Sequence, residues 1–143
     1  MDINRISEQF IAVAMTVHSA LGPGLFERVY KECLVFELTK RGIPHTTEYP
    51  LSLTYDGHKL RCAYRADLLV ASELLVELKT VDHLAPVHSA QLFTYLKLAD
   101  KQVGLLVNFN TRHLKDGIVR VVRNYSGPLP NTPLPPLTPP PPR

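Results

Sequence analysis

Residues 64–79 read YRADLLVASELLVELK, and this stretch decides the fold. Two runs that are typical of β-strands flank a short segment around Ser72, which predicts a tight hairpin. Successive side chains of a strand point to opposite faces, so a hairpin centred on Ser72 places its charged residues on one face. That face then consists of two opposed pairs, Asp67 with Glu77 and Arg65 with Lys79.

The other face of the same hairpin is apolar. One register therefore places the charged residues on one side and the aliphatic residues on the other. A slip of one residue would disrupt both faces, so the pattern specifies the register. The aliphatic face, which we predict to join the core, consists of Leu68, Val70, Leu74, Val76 and Leu78.

The charged face of the hairpin suits metal-assisted chemistry. Opposed carboxylates, about 5 Å apart at Cβ, repel each other when both are ionised. A divalent cation resolves this conflict, since Mg²⁺ takes carboxylate oxygens and keeps several waters. Lys79 can orient or help to deprotonate a water at the metal, or neutralise a phosphate. These parts can hydrolyse a phosphodiester, although a plain ion-paired hairpin face explains the same residues.

Length and composition limit the class of protein. The chain has 143 residues, of which 45% are hydrophobic and 20% charged, so we expect one soluble globular domain. No apolar run approaches the roughly 20 residues of a membrane-spanning helix, and the N-terminus lacks the apolar segment of a secretory signal. Cys33 and Cys62 have no CxxC spacing, which argues against a disulfide scaffold and a zinc site. We therefore expect a cytoplasmic location and no membrane association.

Hydrophobic periodicity predicts two helices before the hairpin. The first helix has apolar residues at steps of three and four and ends at Gly22. The second covers residues 25–41 and ends before Gly42, a typical residue after a helix C-terminus. The apolar stripe predicted for this second helix consists of Phe26, Val29, Cys33 and Phe36.

Strands and a third helix complete the predicted order ααβββαββ, an α+β or mixed α/β domain with helices packed on a central mixed sheet. Asp56-Gly57 is the strongest short hairpin signal in the chain and separates the first two strands. Pro86 opens the third helix, which reaches about Asp100. The predicted strands cover residues 45–55, 58–70, 74–79, 102–109 and 118–123.

The C-terminal segment has a different composition. Residues 126–143 hold nine of the thirteen prolines and few large apolar side chains. Such a segment cannot build a core, so we predict an extended or disordered tail. It could bind a proline-recognition groove or have no specific partner. The predicted domain boundary therefore separates residues 1–125 from a Pro-rich tail, 126–143.

Several motifs together resemble one known group of proteins. Asp67 followed by Glu77-Leu78-Lys79 resembles the PD-(D/E)XK nuclease superfamily, the restriction-endonuclease-like fold, with Ala66 where that pattern has proline. Gln91 and Tyr95 match the QxxxY signature of some of its branches. The whole chain to about residue 123 resembles the GxxExxY family of that superfamily. The segments that carry this resemblance are residues 18–24, 24–30, 64–70, 86–88 and 104–109.

The resemblance implies a metal site and its surroundings. A glutamate from the helix before the first core strand often joins the metal site in this superfamily, and Glu27 occupies that position. Glu27 is also explained as a solvated residue that the helix dipole favours. The resemblance implies metal binding by Glu27, Asp67 and Glu77, and catalytic roles for Asp67, Glu77, Lys79, Gln91 and Tyr95. Residues considered as further contacts to these groups or to phosphate are His18, Tyr30, Arg65 and His88.

The function expected from the sequence is a nuclease that uses Mg²⁺ or Mn²⁺ and water to cleave nucleic acid, with DNA preferred over RNA as the substrate. A net charge of +3 is compatible with a polyanionic partner but settles little by itself. A domain of this size has little room to read a sequence, so a homodimer or a protein partner would supply specificity. The alternative is a catalytically silent nuclease-fold module that acts as a nucleic-acid- or protein-binding scaffold.

Overall fold

The structure is a computed structural model that describes residues 2–125, Gly127 and the pair Pro136–Leu137. The side chains of residues 61–63 and of that pair are not described. Apart from Gly127 and Pro136–Leu137, the predicted tail over residues 126–143 therefore lies outside the described residues.

Helices and strands follow the predicted order ααβββαββ, with a 3₁₀ turn and a two-residue strand in addition. In the described part of the chain, no helix is long and apolar enough to cross a membrane. The elements are α1 (Ile3–Leu21), α2 (Glu27–Lys40), β1 (His45–Tyr55), β2 (His58–Val70), β3 (Leu74–Lys79), α3 (Pro86–Ala99), β4 (Val103–Asn108), a 3₁₀ turn (Leu114–Gly117), β5 (Ile118–Val122) and β6 (Pro136–Leu137).

A six-stranded mixed sheet in the order β1-β2-β3-β4-β5-β6 forms the centre of the fold. The pairs β1–β2, β2–β3 and β4–β5 are antiparallel, whereas β3–β4 and β5–β6 are parallel. Parallel neighbours need a crossover connection, and α3 supplies it between β3 and β4. The sheet flanked by helices is the restriction-endonuclease-like architecture that the sequence predicts.

The β2–β3 hairpin has the predicted register around Ser72, because Leu68 pairs with Val76 and Val70 with Leu74. The predicted aliphatic face is buried in the core beneath α1 and α2. The opposite face of the sheet forms a second core with α3. This second core includes Leu69, Leu75, Leu92, Leu96 and Leu106.

The apolar stripe predicted for α2 is wrong at its two phenylalanines, although Cys33 of that stripe packs against the core. Phe26 and Phe36 are 73% and 66% exposed, whereas the buried face of the helix consists of Tyr30, Leu34 and Leu38. Both sets recur at helical spacing, so periodicity alone cannot choose between them. The Tyr30 side chain can be fully buried because its hydroxyl donates a hydrogen bond to the Gly22 carbonyl.

The crossover helix α3 packs closely on the sheet at Gly104 of β4. A Cβ added there would lie 3.1 Å from carbon atoms of Leu92, closer than most real contacts of this kind. The absence of a side chain at Gly104 therefore lets α3 approach the strands. This approach fixes the height of the helix above the sheet and so the position of its Tyr95.

Candidate active site

The ends of β2 and β3 separate at the predicted carboxylate pair. Regular pairing between the two strands stops at Leu68–Val76. Beyond it, the Asp67 N–H donates to Glu77 Oε1 at 2.8 Å, and the Leu78 N–H donates to Asp67 Oδ2 at 2.8 Å. Each carboxylate therefore reaches across to the backbone of the other strand. Asp67 and Glu77 are close together, but they do not form the regular strand pair that the sequence predicts.

The predicted pair Arg65–Lys79 is also absent from the β2–β3 pairing. Arg65 is exposed and pairs along the backbone with Pro50 of β1. Lys79, which is half-buried, pairs with Asn108 of β4. The reason is the separation of β2 and β3 at the carboxylates, beyond which each strand follows its other neighbour.

Glu77 is 7% exposed, and its environment disfavours the ionised form. Burial, followed by the charge of Asp67, raises the pKa of Glu77 to about 7. The hydrogen bond from the Asp67 N–H and the charge of Lys79 act in the opposite direction, and the charge of Glu27 adds to the increase. Near neutral pH this carboxyl group is therefore partly protonated, and additional positive charge would favour its ionised form.

Glu27 joins this cluster from the first turn of α2. Burial and the charge of Asp67 raise its pKa, whereas Lys79 and Lys31 lower it. The buried face of α2 begins with Tyr30, three residues later, so Glu27 stands at the sheet-facing side of the helix. The structure thus brings Glu27, Asp67, Glu77 and Lys79 into one another's electrostatic field.

Sequence reasoning missed Lys31, which lies one helical turn after Glu27. Its ammonium group forms an ion pair with Glu48 and lies 3.6 Å from Asp67 Oδ1. Glu48 belongs to β1 at the position beside Asp67, where its φ of 51° interrupts the regular strand geometry. The i,i+4 spacing of Glu27 and Lys31 was the available signal for this second cation.

Lys79 is held in place by the end of β4. The Phe109 N–H donates to the Lys79 carbonyl at 2.9 Å. The buried Asn108 side chain accepts from the Val81 N–H at 3.1 Å and donates to the Val81 carbonyl at 2.9 Å. It also accepts from the Asn110 N–H at 3.2 Å. Sequence reasoning missed Asn108, and the signal was a polar residue that ends an otherwise apolar strand.

Replacing Asn108 should loosen the backbone that follows Lys79. We expect Asn108→Ala to lower the free energy of unfolding by roughly 1–3 kcal/mol, because it leaves the polar groups of Val81 without their partners. Urea denaturation would measure this loss. Asn110→Ala is a matched control, since the Asn110 amide only approaches Asp82 at 3.5 Å, and it should change stability by about 0.5 kcal/mol or less. Equal losses in the two variants would contradict the assigned role of Asn108.

Of the two site residues predicted on α3, Tyr95 lies in the electrostatic field of the carboxylates and Gln91 is exposed. Tyr95 is buried, and its pKa is raised by burial and then by the charges of Glu77, Tyr64 and Asp67. Its ring lies 5.9 Å from that of Tyr64 on β2. Gln91, one turn earlier on the same helix, is exposed. The structure therefore places Tyr95 against the carboxylates and leaves the Gln91 amide in solvent.

Three other predicted contact residues stabilise the fold away from the carboxylates. His88 Nδ1 accepts the Ala85 N–H at 3.0 Å and so caps the start of α3. The buried His18 bonds through Nε2 to the Thr111 carbonyl at 2.8 Å. Tyr30 bonds to the Gly22 carbonyl at 2.5 Å and stacks on Phe109 with the ring centroids 4.5 Å apart. Every contact described for these residues is with backbone or core rather than with the carboxylates.

The oxygen donors of the cluster fit a divalent cation in their chemistry. Within the described residues, no three Asp, Glu, His or Cys side chains form a ready-made coordination group. The carboxylates of Asp67 and Glu77 instead accept backbone hydrogen bonds, and Asp67 also approaches Lys31. Burial and then the charge of Asp67 raise the pKa of Glu27 and Glu77, and a cation with carboxylate ligands would favour the ionised form of both groups.

Comparison with known proteins gives one result. A family model described as the PD-(D/E)XK nuclease superfamily matches residues 4–121, which is well over half of the chain. The match spans the cluster and the Asn108 that supports it. No curated protein and no solved structure gives a significant match.

Proposed function

Since the chain belongs to the PD-(D/E)XK nuclease superfamily, we propose that it is a metal-dependent nuclease that hydrolyses phosphodiester bonds in nucleic acid. The observation that carries this proposal is the cluster of Glu27, Asp67 and Glu77 beside the Lys79 ammonium group. Burial and the neighbouring charges raise the pKa of Glu27 and Glu77. Raised carboxyl pKa values are frequent at catalytic sites, because such sites hold like charges together in partly buried positions.

The three carboxylates would hold Mg²⁺ or Mn²⁺. When bound, the cation supplies positive charge for the scissile phosphate and lowers the pKa of nearby water. Glu27 would approach from α2, while Asp67 and Glu77 would approach from the separated strand ends. Because Glu77 must be ionised to bind a cation, its affinity for metal would fall as the pH drops below about 7.

The remaining residues would act on the water and the phosphate. Lys79 would position the attacking water and neutralise charge on the phosphate, since its backbone is fixed by Phe109 and its ammonium group interacts with Glu77 and Glu27. The exposed Arg65 and Gln91 would contact the nucleic-acid backbone. Tyr95 would keep solvent away from the Glu77 carboxyl group.

The proposal extends to the family branch, the substrate, the cellular location and the assembly. The residues Gly24, Glu27 and Tyr30 have the spacing of the GxxExxY family, which we propose as the branch. We propose DNA in preference to RNA as the substrate and the cytoplasm as the location. A homodimer would provide two sites for the two strands of a duplex, and a protein partner would provide specificity. The folded domain would end near residue 125, with the Pro-rich tail outside it.

A cleavage assay tests the proposed activity. We expect the purified chain to cut labelled single-stranded, duplex or branched DNA or RNA with Mg²⁺ or Mn²⁺, and to stop when EDTA removes the metal. Addition of excess metal should restore cleavage. Metal-independent cleavage, or no cleavage of any of these substrates with either metal, would contradict the proposal.

One observation favours the silent module as a second candidate. Asp67 and Glu77 already accept backbone N–H groups, which closes the strand ends without a cation. Isothermal titration with Mg²⁺ and Mn²⁺ separates the two candidates. Binding that is lost in Asp67→Asn supports the nuclease, whereas the absence of binding at millimolar metal favours the scaffold.

A further inference from the structure

A second charged feature lies at the loop that follows β4. A cleft of about 380 Å³ opens between the end of α1, the α1–α2 loop and this loop. Arg112, His113 and Lys115 are exposed and line it from one side, and His18 and Ser19 line it from α1. None of the described residues that line this cleft is a carboxylate. We refer to it as the basic cleft.

The side chains that give the basic cleft its charge are available for a ligand. Within the described residues, neither Arg112 nor Lys115 has a carboxylate at salt-bridge distance. Arg112 can bind a phosphate through two parallel N–H groups, and Lys115 can bind it as a point charge. The chemistry of the cleft therefore suits an anion that presents several oxygens.

The loop that carries these side chains is anchored. The Thr111 carbonyl bonds to the buried His18, and the Thr111 hydroxyl donates to the Asn108 carbonyl at 3.2 Å. Leu114 is buried in the core, and the Asp116 N–H donates to the His113 carbonyl at 3.0 Å. The basic side chains therefore extend from a fixed backbone.

The basic cleft lies near the candidate active site. Asn108 pairs with Lys79 across neighbouring strands, and Arg112 follows Asn108 by four residues. Four residues of chain span at most about 14 Å. On the other side, the α1–α2 loop that borders the cleft leads directly to Glu27. A nucleic-acid strand at the carboxylates would therefore have its neighbouring phosphates within reach of the cleft.

We propose that the basic cleft binds the phosphodiester backbone of the nucleic acid at phosphates away from the scissile one. This inference rests on the proposed function, because it assigns a substrate-binding surface to the same site. Arg112 and Lys115 make the principal contacts. The contacts are to phosphate rather than to bases, so they position the strand without reading its sequence.

Removal of the two charges tests the inference directly. In EDTA, fluorescence anisotropy with a labelled oligonucleotide should show about a tenfold loss of affinity for the double variant Arg112→Ala/Lys115→Ala. The slope of log affinity against log salt should become shallower by about 1.4 for a single strand and about 1.8 for a duplex. The charge-preserving variant Arg112→Lys/Lys115→Arg should recover most of the affinity.

A matched control removes two equal charges elsewhere. Arg5 and Lys40 are exposed, and each is about 20 Å or more along its helix from the end that faces the site. Arg5→Ala/Lys40→Ala should change affinity by about twofold or less. Equal losses in the two double variants, or no measurable oligonucleotide binding by the unmodified chain, would overturn the inference.

Binding and cleavage measured together distinguish the role of the basic cleft from the proposed nuclease activity. If oligonucleotide binding depends on Arg112 and Lys115 but no metal-dependent cleavage occurs, the basic cleft is supported as a binding site and the proposed nuclease activity is rejected. If both cleavage and binding are unchanged when these two residues are replaced, the nuclease activity is supported and the role of the basic cleft is rejected. Equal competition by polyglutamate would show general attraction of anions and would also reject the cleft.

Discussion

Lys79→Met is expected to lower the rate of metal-dependent cleavage by roughly 10²–10⁴-fold, the usual effect of removing a catalytic group that moves protons or stabilises charge. Methionine keeps an unbranched apolar side chain but removes the ammonium group. The Lys79 backbone should remain in place, because the Phe109 N–H bonds to its carbonyl and Asn108 secures Val81. Single-turnover cleavage of labelled DNA at saturating Mg²⁺ measures the effect.

Metal binding distinguishes the role of Lys79 from that of the carboxylates. At a pH high enough to ionise Glu77, Lys79→Met should retain or strengthen Mg²⁺ binding, because the variant keeps all three carboxylates and removes an ammonium charge that repels a cation. Asp67→Asn should weaken both Mg²⁺ binding and cleavage. Lys59→Met, at the exposed start of β2, serves as the control with unchanged activity. If Lys79→Met cleaves within about twofold of the unmodified chain, the catalytic assignment is wrong.

Glu77→Gln is expected to stabilise the metal-free protein while abolishing its response to metal. The folded-state pKa of Glu77 is about 7, compared with a reference value of 4.5. The folded state therefore binds more protons than the unfolded state between these values, so the stability contributed by this group falls as the pH rises through that window. Each unit of pKa difference corresponds to about 1.4 kcal/mol, which sets an upper bound of roughly 3–4 kcal/mol on the gain from Glu77→Gln above pH 7. At and below about pH 4.5 the gain should vanish.

Denaturant unfolding at several pH values in EDTA measures this effect. The glutamine oxygen can still accept the Asp67 N–H, so the substitution removes charge with little change of shape. Added Mg²⁺ should stabilise the unmodified chain through binding to the folded state and leave Glu77→Gln unaffected. Glu73→Gln in the exposed turn of the same hairpin should change stability by about 0.5 kcal/mol or less at each pH. A gain over the unmodified chain that is no larger at high pH than at low pH would refute the electrostatic argument.

Much of the sheet could be predicted because several local signals agree. Asp56 and Gly57 adopt the positive φ values, 48° and 77°, that a tight hairpin turn favours. The register around Ser72 follows from an aliphatic face that has only one way to enter the core. Sequence pattern and core burial thus impose the same register.

The buried face of α2 could not be predicted from its pattern. Phe36 is more hydrophobic than Tyr30, but burial follows from the angle at which the helix meets the sheet. That angle depends on contacts distant in sequence, such as the stacking of Tyr30 on Phe109. Local periodicity contains no information on such partners.

The detailed arrangement of the candidate site also depends on contacts between residues that are far apart in sequence. Spacing places Asp67 and Glu77 opposite each other, yet it does not indicate that each carboxylate accepts an N–H group from the other strand. Asn108 and Val81 are far apart in sequence and meet only because β3 and β4 are parallel neighbours. The proximity of Asp67 and Glu77 could therefore be predicted from the sequence, whereas the separation of the strands required the fold.

Lys31 acts as an internal counter-ion for the carboxylates. Its ammonium group lies between Glu48 and Asp67, and its charge lowers the pKa of Glu27. Part of the repulsion among these acids is therefore balanced by the chain itself. A divalent cation at the proposed site would have to compete with this tethered ammonium group, so Lys31 would stabilise the metal-free protein and weaken its affinity for metal.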